Sequence, residues 1–257
     1  MVKKSSTTIR HPEIVLKHTE VLSKARAAVT EEKIREWFLE AKDYLTEEEA
    51  LDILKDPSRM YNLDETGVQT CPKTGQEKQS ITVLCCYAAS GTVVDPMVVY
   101  PNQRIAQDVM QGVPENFAVG RSPSSWMISA TFYEYIADVF YQRLVRKQEE
   151  FPVLLVFDGH KSHINLELHE FCVEKRILLI CLPPNATHIL QPCNVGIFRP
   201  LNVEWRKVVR NHQARSIQSI TKVNFAPLFH EAFNKASKVE TIQNAFATCG
   251  LFPFNPD

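Results

Sequence analysis

The stretch from Pro152 to Phe198, PVLLVFDGHKSHINLELHEFCVEKRILLICLPPNATHILQPCNVGIF, decides the fold. Its two apolar runs, Val153 to Phe157 and Ile177 to Leu182, each have the length of a fully buried central strand, and each ends in polar residues. Between them Leu168, Phe171 and Cys172 recur at helical spacing, which predicts a helix from about Asn165 to Lys175. Strand, helix and strand joined by such short linkers call for a right-handed parallel crossover. Chemistry then belongs at the strand ends. Asp158 stands at the first of them; beyond the Pro-Pro turn stands Asn194, where the pattern leads one to expect a second carboxylate.

Upstream, three runs rich in strand formers predict an antiparallel meander: Arg59 to Leu63, Gln79 to Ala89, and Val93 to Tyr100. Asp64-Glu65-Thr66-Gly67 reads as the end of the first strand and a turn. Residues 101 to 128 read as a long surface connection, and Phe132, Tyr135, Ile136, Val139, Phe140 and Leu144 as an amphipathic helix ending at Arg146-Lys147. Before the sheet, Thr30 is the expected N-cap of a helix carrying Trp37, Phe38, Ala41 and Leu45. Thr46-Glu47-Glu48-Glu49 reads as a capping box that opens a second short helix. After Asn194, which suits an N-cap, Leu201, Trp205, Val208 and Val209 mark a long basic helix, and residues 223 to 249 hold further helical patterns.

The chain has 257 residues, 44% hydrophobic and 23% charged, with a formal net charge of −1, as expected of an ordinary globular protein. No apolar run approaches the ~18 to 20 residues of a membrane span, and the N-terminus lacks a signal-peptide core, so no membrane partner is expected and an intracellular location is the default. Seven cysteines, with no CxxC pair, point to free buried thiols. The near-neutral total hides local bias. Residues 1 to 26 carry six bases against two acids, residues 199 to 222 six against one, and residues 31 to 52 nine acids against three bases. A polyanion responds to such local patches.

Asp64 and Asp158, emerging at one edge if their strands are neighbours, form a credible hard-cation site for phosphoryl transfer. The motifs around them carry a resemblance. Tyr61-Asn62-Leu63-Asp64-Glu65-Thr66-Gly67, Phe157-Asp158-Gly159-His160-Lys161-Ser162-His163, and Leu182-Pro183-Pro184 through Leu190-Gln191-Pro192 with Val195-Gly196-Ile197-Phe198 resemble the DDE transposase domain of the pogo, Tigger and Jerky group, which includes the domesticated centromere protein B. The resemblance implies an α/β ribonuclease-H-like fold: a mixed five-stranded sheet, three antiparallel strands then two parallel, flanked by helices. It implies residues 58–257 as the DDE-type domain, and residues 1–57 as a basic arm and acidic helical hairpin linking to a DNA-binding module outside this chain. It also implies three acidic ligands for Mg²⁺ or Mn²⁺: Asp64 as the first and Asp158 as the second. Asn194 occupies the third position, with 35 residues between it and Asp158. Glu65, His160, His163 and His188 would then support the ligands, and Arg199, Arg206, Lys207 and Arg210 would contact DNA. A nuclear location follows from the resemblance alone.

Other readings of the same residues stay open. Asp158 and Asn194 suit helix N-caps, and the histidines lack the spacing of a zinc site. Three functions are therefore in play: a domesticated domain that binds nucleic acid with weak or no nuclease activity, an active Mg²⁺-dependent endonuclease or strand-transfer enzyme, and a protein-interaction platform using the acidic hairpin. A homodimer or a protein partner fits any of them.

Overall fold

The computed structural model describes residues 29–69, 80–101, 104–123, 126–159, 165–215 and 219–256. Six strands form one sheet: β1 (Met60–Gln69), β2 (Ser80–Ala88), β3 (Val93–Tyr100), β4 (Ala118–Arg121), β5 (Val153–Phe157) and β6 (Ile177–Cys181). Their spatial order is β4-β3-β2-β1-β5-β6. β2 alone runs against the others, because it pairs antiparallel to both β1 and β3 while the remaining pairs are parallel. The mixed α/β sheet expected from the sequence is present, with one strand more. Ala118–Arg121 is only four residues long, too short to show alternation inside the polar connection that hides it, and it joins the sheet through its pairing with β3.

β1 differs most from its sequence reading. It does not stop at Leu63; Asp64 through Gln69 continue the strand, paired with β2 from Asp64↔Cys85 to Gln69↔Ser80. Asp64-Glu65-Thr66-Gly67 is therefore strand, not turn. A partner strand of matching length satisfies its backbone groups, and that outweighs the turn preference of the four residues.

Helices cover both faces. On one lie α1 (Glu31–Glu47) and, later in the chain, the helices after β6; their Trp37, Phe38, Leu201, Trp205, Phe225, Phe229, Ile242 and Phe246 share one core cluster with Met60, Val83 and Val156. On the other face lies α3, following the short α2 (Gln107–Gln111). α3 is a continuous helix of three segments, Ser129–Glu134, Tyr135–Tyr141 and Gln142–Lys147, the middle one π-helical. With α4 (Leu166–Glu174) it packs Phe132, Tyr135, Phe140 and Leu168 against Tyr61, Leu63 and Phe157. The expected N-caps hold at Thr30, which accepts from the Lys33 N–H at 3.4 Å, and at Asn165, which accepts from Leu168 at 2.8 Å.

Thr46 caps nothing. It sits in the last turn of α1 and donates its hydroxyl to the Lys42 carbonyl at 2.8 Å, and the chain continues into a 3₁₀ turn at Leu51–Lys55 instead of a new capped helix. α1 also shields the sheet edge: the Trp37 indole donates to the Cys181 carbonyl of β6 at 2.9 Å. Beneath it, buried Arg59 donates to the Pro152 carbonyl at 3.0 Å and pairs with Asp52, fixing the 3₁₀ turn to the entrance of β5.

A candidate metal-binding edge

The parallel register of β1 and β5 ends at Leu63↔Phe157. The next residue on each strand is an aspartate, Asp64 and Asp158, so the two carboxylates leave adjacent strands at the same level. Alternation places both on the side of Met60 and Val156, opposite the face that Leu63 and Phe157 bury. Beyond this point β5 has stopped while β1 and β2 run on, which leaves the pair at a step in the sheet. Asp64 is buried and Asp158 half-buried. The Glu65 N–H donates to Asp64 Oδ1 at 2.9 Å.

Burial pushes the Asp64 carboxyl well above its ordinary range, and the like charges of Glu65 and Asp158 push it further. The Glu65 N–H and the Gln191 side chain oppose this only in part. A buried acid facing a second carboxylate favours a bound proton, or a cation in its place.

Asn194, which the resemblance sets third, arrives on a helix. After α5 (Thr187–Leu190), the chain forms α6, which opens with a π-helical turn at Cys193–Ile197 and continues as Phe198–Arg215. Asn194 lies inside that opening turn, so it is not an N-cap; Pro192 occupies the cap position. The Asn194 amide instead donates back to Gln191 Oε1 at 2.7 Å. Gln191 is fully buried and donates its own amide to the Leu63 carbonyl at 3.4 Å. One turn below, buried Asn62 donates to the Val156 carbonyl at 2.9 Å and accepts from the Cys193 N–H at 3.0 Å. Two buried amides therefore tie β1, β5 and the start of α6 together. Gly196 completes the fit, because a Cβ there would lie 2.5 Å from Ala245 Cβ of the last helix.

The structure thus brings Asp64 beside Asp158 and, through Gln191, joins Asn194 to them, whereas Glu65 gives Asp64 its backbone N–H and by alternation turns its side chain to the other face of β1. His188 lies on α5 with its Nδ1 buried and without a hydrogen-bond partner among the described residues. His160 and His163 lie outside the described residues, as does the basic arm. Arg199, Arg206, Lys207 and Arg210 are exposed on α6, on the face opposite Leu201, Trp205 and Val208. Lys207 is paired with Glu204 at 2.6 Å. Asn62 and Gln191 are the residues that sequence reasoning missed, although an amide set between apolar neighbours is a signal, since a buried polar group needs partners.

Two carboxylates and an amide oxygen are hard donors of the kind Mg²⁺ and Mn²⁺ take, so the residues present fit one divalent cation. They carry one negative charge fewer than three acids would. Among the described residues no group of three or more His, Cys, Asp or Glu side chains is placed to hold a metal ion, and this edge offers two carboxylates.

Comparison with known proteins bears on the family and the fold. The family model described as DDE superfamily endonuclease matches residues 78–247. A curated relative, the MFS-type transporter clz9 of Cochliobolus lunatus, is 29% identical over 183 residues, which is 71% of this chain and 20% of that protein. The chain thus spans about a fifth of that relative. No helix among the described residues is long and apolar enough to cross a membrane. Among solved structures, the Mos1 strand transfer complex superposes with a TM-score of 0.52 at 12% identity, covering 95% of this chain and 66% of that one. The Mos1 transposase catalytic domain with Raltegravir and Mg gives a TM-score of 0.47 at 10% identity, covering 90% of this chain and 98% of that one.

Proposed function

The chain belongs to the DDE superfamily endonuclease family, and from that premise we propose that it is a transposon-derived, nucleic-acid-binding domain of the pogo, Tigger and Jerky group whose cleavage chemistry is weak or lost. One observation carries the proposal. The third ligand position is the neutral Asn194, held by a hydrogen bond to Gln191 in a network made of amides.

A divalent cation at such an edge supplies Lewis acidity toward a phosphodiester and lowers the pKa of an attacking water or 3′-hydroxyl. Asp64 and Asp158 would hold it; burial of Asp64 beside Asp158 makes a cation the natural replacement for the proton that the pair otherwise favours. Gln191 keeps Asp64 and Asn194 in a fixed relation, donating to β1 and accepting from the helix. The Asn194 carbonyl oxygen can ligate but brings no charge, and holding two like-charged ions close together needs that charge. Binding of nucleic acid survives this loss, because it depends on exposed cations rather than on the acid pair. A nuclear location accompanies this reading.

A nicking assay on supercoiled DNA with Mg²⁺ or Mn²⁺ tests it. The unmodified chain is expected to show little or no cleavage above an Asp64→Ala control, and Asn194→Asp to gain metal-dependent nicking. Robust cleavage by the unmodified chain, abolished by Asp64→Ala, would establish the active enzyme instead.

A further inference from the structure

The exposed side of the helical layer carries a second concentration of charge, whose lining includes neither Asp64 nor Asp158. After α6 come α7 (Lys222–Ala236) and α8 (Val239–Thr248). A cavity of about 310 Å³ lies where the start of α6 meets the end of α7 and the start of α8, with Arg199, Lys235 and Lys238 on its walls beside Val203, Glu204 and Thr241. The cations come from α6, from α7 and from the residue preceding α8. A charged row on one helix face spreads into solvent, whereas cations converging on a concave space raise the potential within it.

The charges do not cancel internally. Lys235 is paired with Glu231 at 2.6 Å, and Glu204, the acid on the wall, is paired with Lys207 at 2.6 Å. Arg199 and Lys238 have no ion-pair partner among the described residues. The hydrogen bond from Lys207, then the charges of Lys207, Lys235 and Lys238, hold the Glu204 carboxyl below its usual range. Along the exposed face of α6 the cations continue: Arg206 and Arg210 follow Arg199 by seven and eleven residues, roughly 10 and 16 Å along the axis.

We propose that this cavity seats a phosphate of a nucleic-acid backbone, with the following phosphates running along Arg206 and Arg210. This rests on the nucleic-acid reading above and deepens it, by assigning the backbone to the outer helical face instead of the acid edge. A compact phosphate compound would use the cavity alone; a repeating polyanion uses the cavity and the row. Val203 and the neighbouring Pro200 offer the sugar an apolar wall.

Fluorescence anisotropy with a labelled 30-base-pair duplex, over a series of salt concentrations, tests the assignment. The unmodified chain is compared with Arg199→Gln/Lys238→Gln and with Lys147→Gln, each checked for fold by circular dichroism. The double variant is expected to bind about tenfold or more weakly near 0.1 M salt, with the log–log salt slope reduced by nearly two. Lys147→Gln, which removes an exposed cation of α3 on the opposite face of the sheet, should leave both quantities unchanged. Equal affinity and slope for the unmodified chain and the double variant would overturn the cavity while leaving nucleic-acid binding intact. No binding by the unmodified chain even at low salt would remove the underlying reading as well. Inorganic pyrophosphate is the second probe: displacement of the duplex at micromolar pyrophosphate would mark a small-anion site and overturn the backbone assignment, whereas displacement only at millimolar levels supports it.

Discussion

The two halves of the acid edge are built in different ways. Asp64 and Asp158 are placed by strand register alone: once β1 and β5 pair through Leu63↔Phe157, the next residues must stand side by side. Asn194 is placed by a helix whose start is fixed by buried amides, Asn62 to the Cys193 N–H and Gln191 between β1 and Asn194. The strand half is thus charged and set by backbone pairing, the helix half neutral and set by side-chain amides. Loss of charge at the third position leaves the fold intact because the tie is made of amides that need no metal, and Asn194 joins it as one more amide.

The largest effect expected from breaking this division is at Asn62. Asn62→Ala removes two buried hydrogen bonds that join β1 to β5 and to α6, and should cost about 3 kcal/mol in urea denaturation. A loss under about 1 kcal/mol would mean that the halves are held together elsewhere.

Asp64 gives a smaller effect with a pH signature. Its folded-state pKa is raised, above all by burial and then by Glu65 and Asp158, over the ordinary value of 3.8. The folded chain therefore holds a proton that the unfolded chain releases, and in the absence of metal the site destabilises the fold increasingly as pH rises from the ordinary value through the raised one. Asp64→Asn should raise the melting temperature at pH 7, and the gain should fade toward pH 3.5, below the ordinary value of 3.8, where the unfolded state too is mostly protonated. A gain of the same size at both pH values would contradict the burial argument. The smallest effect is at Asn194: Asn194→Ala removes one hydrogen bond from an exposed side chain and should change stability by no more than about 1 kcal/mol. A loss as large as that of Asn62→Ala would show that the third position is structural.

The same division explains what the sequence made legible. Buried parallel strands announce themselves as apolar runs, so β5, β6 and the carboxylate at the end of β5 were readable from Val153 onward. The second half of β1 was harder. Asp64, Glu65, Thr66 and Gly67 have the composition of a turn, yet Thr66 and Val68 are buried while Gly67 and Gln69 are exposed, an alternation set by the length of β2. β4 stayed hidden because four residues at a sheet edge carry too little pattern. Asn194 is set at the third position by resemblance alone, and the N-cap expected of it falls instead on Pro192. Gln191 carries the signal of an amide between Leu190 and Pro192, but its bond to the Leu63 carbonyl is set by tertiary packing, and Thr46 has the composition of a cap while serving in the last turn of a longer helix.

The central claim is that a neutral third position limits what this edge can hold. Mn²⁺ titration followed by electron paramagnetic resonance measures this without requiring catalysis, comparing the unmodified chain with Asn194→Asp and Asp64→Ala. The account predicts at most one weakly bound ion in the unmodified chain, binding at least about tenfold tighter in Asn194→Asp, in keeping with an added carboxylate ligand, and none in Asp64→Ala. Two tightly bound ions in the unmodified chain would contradict it.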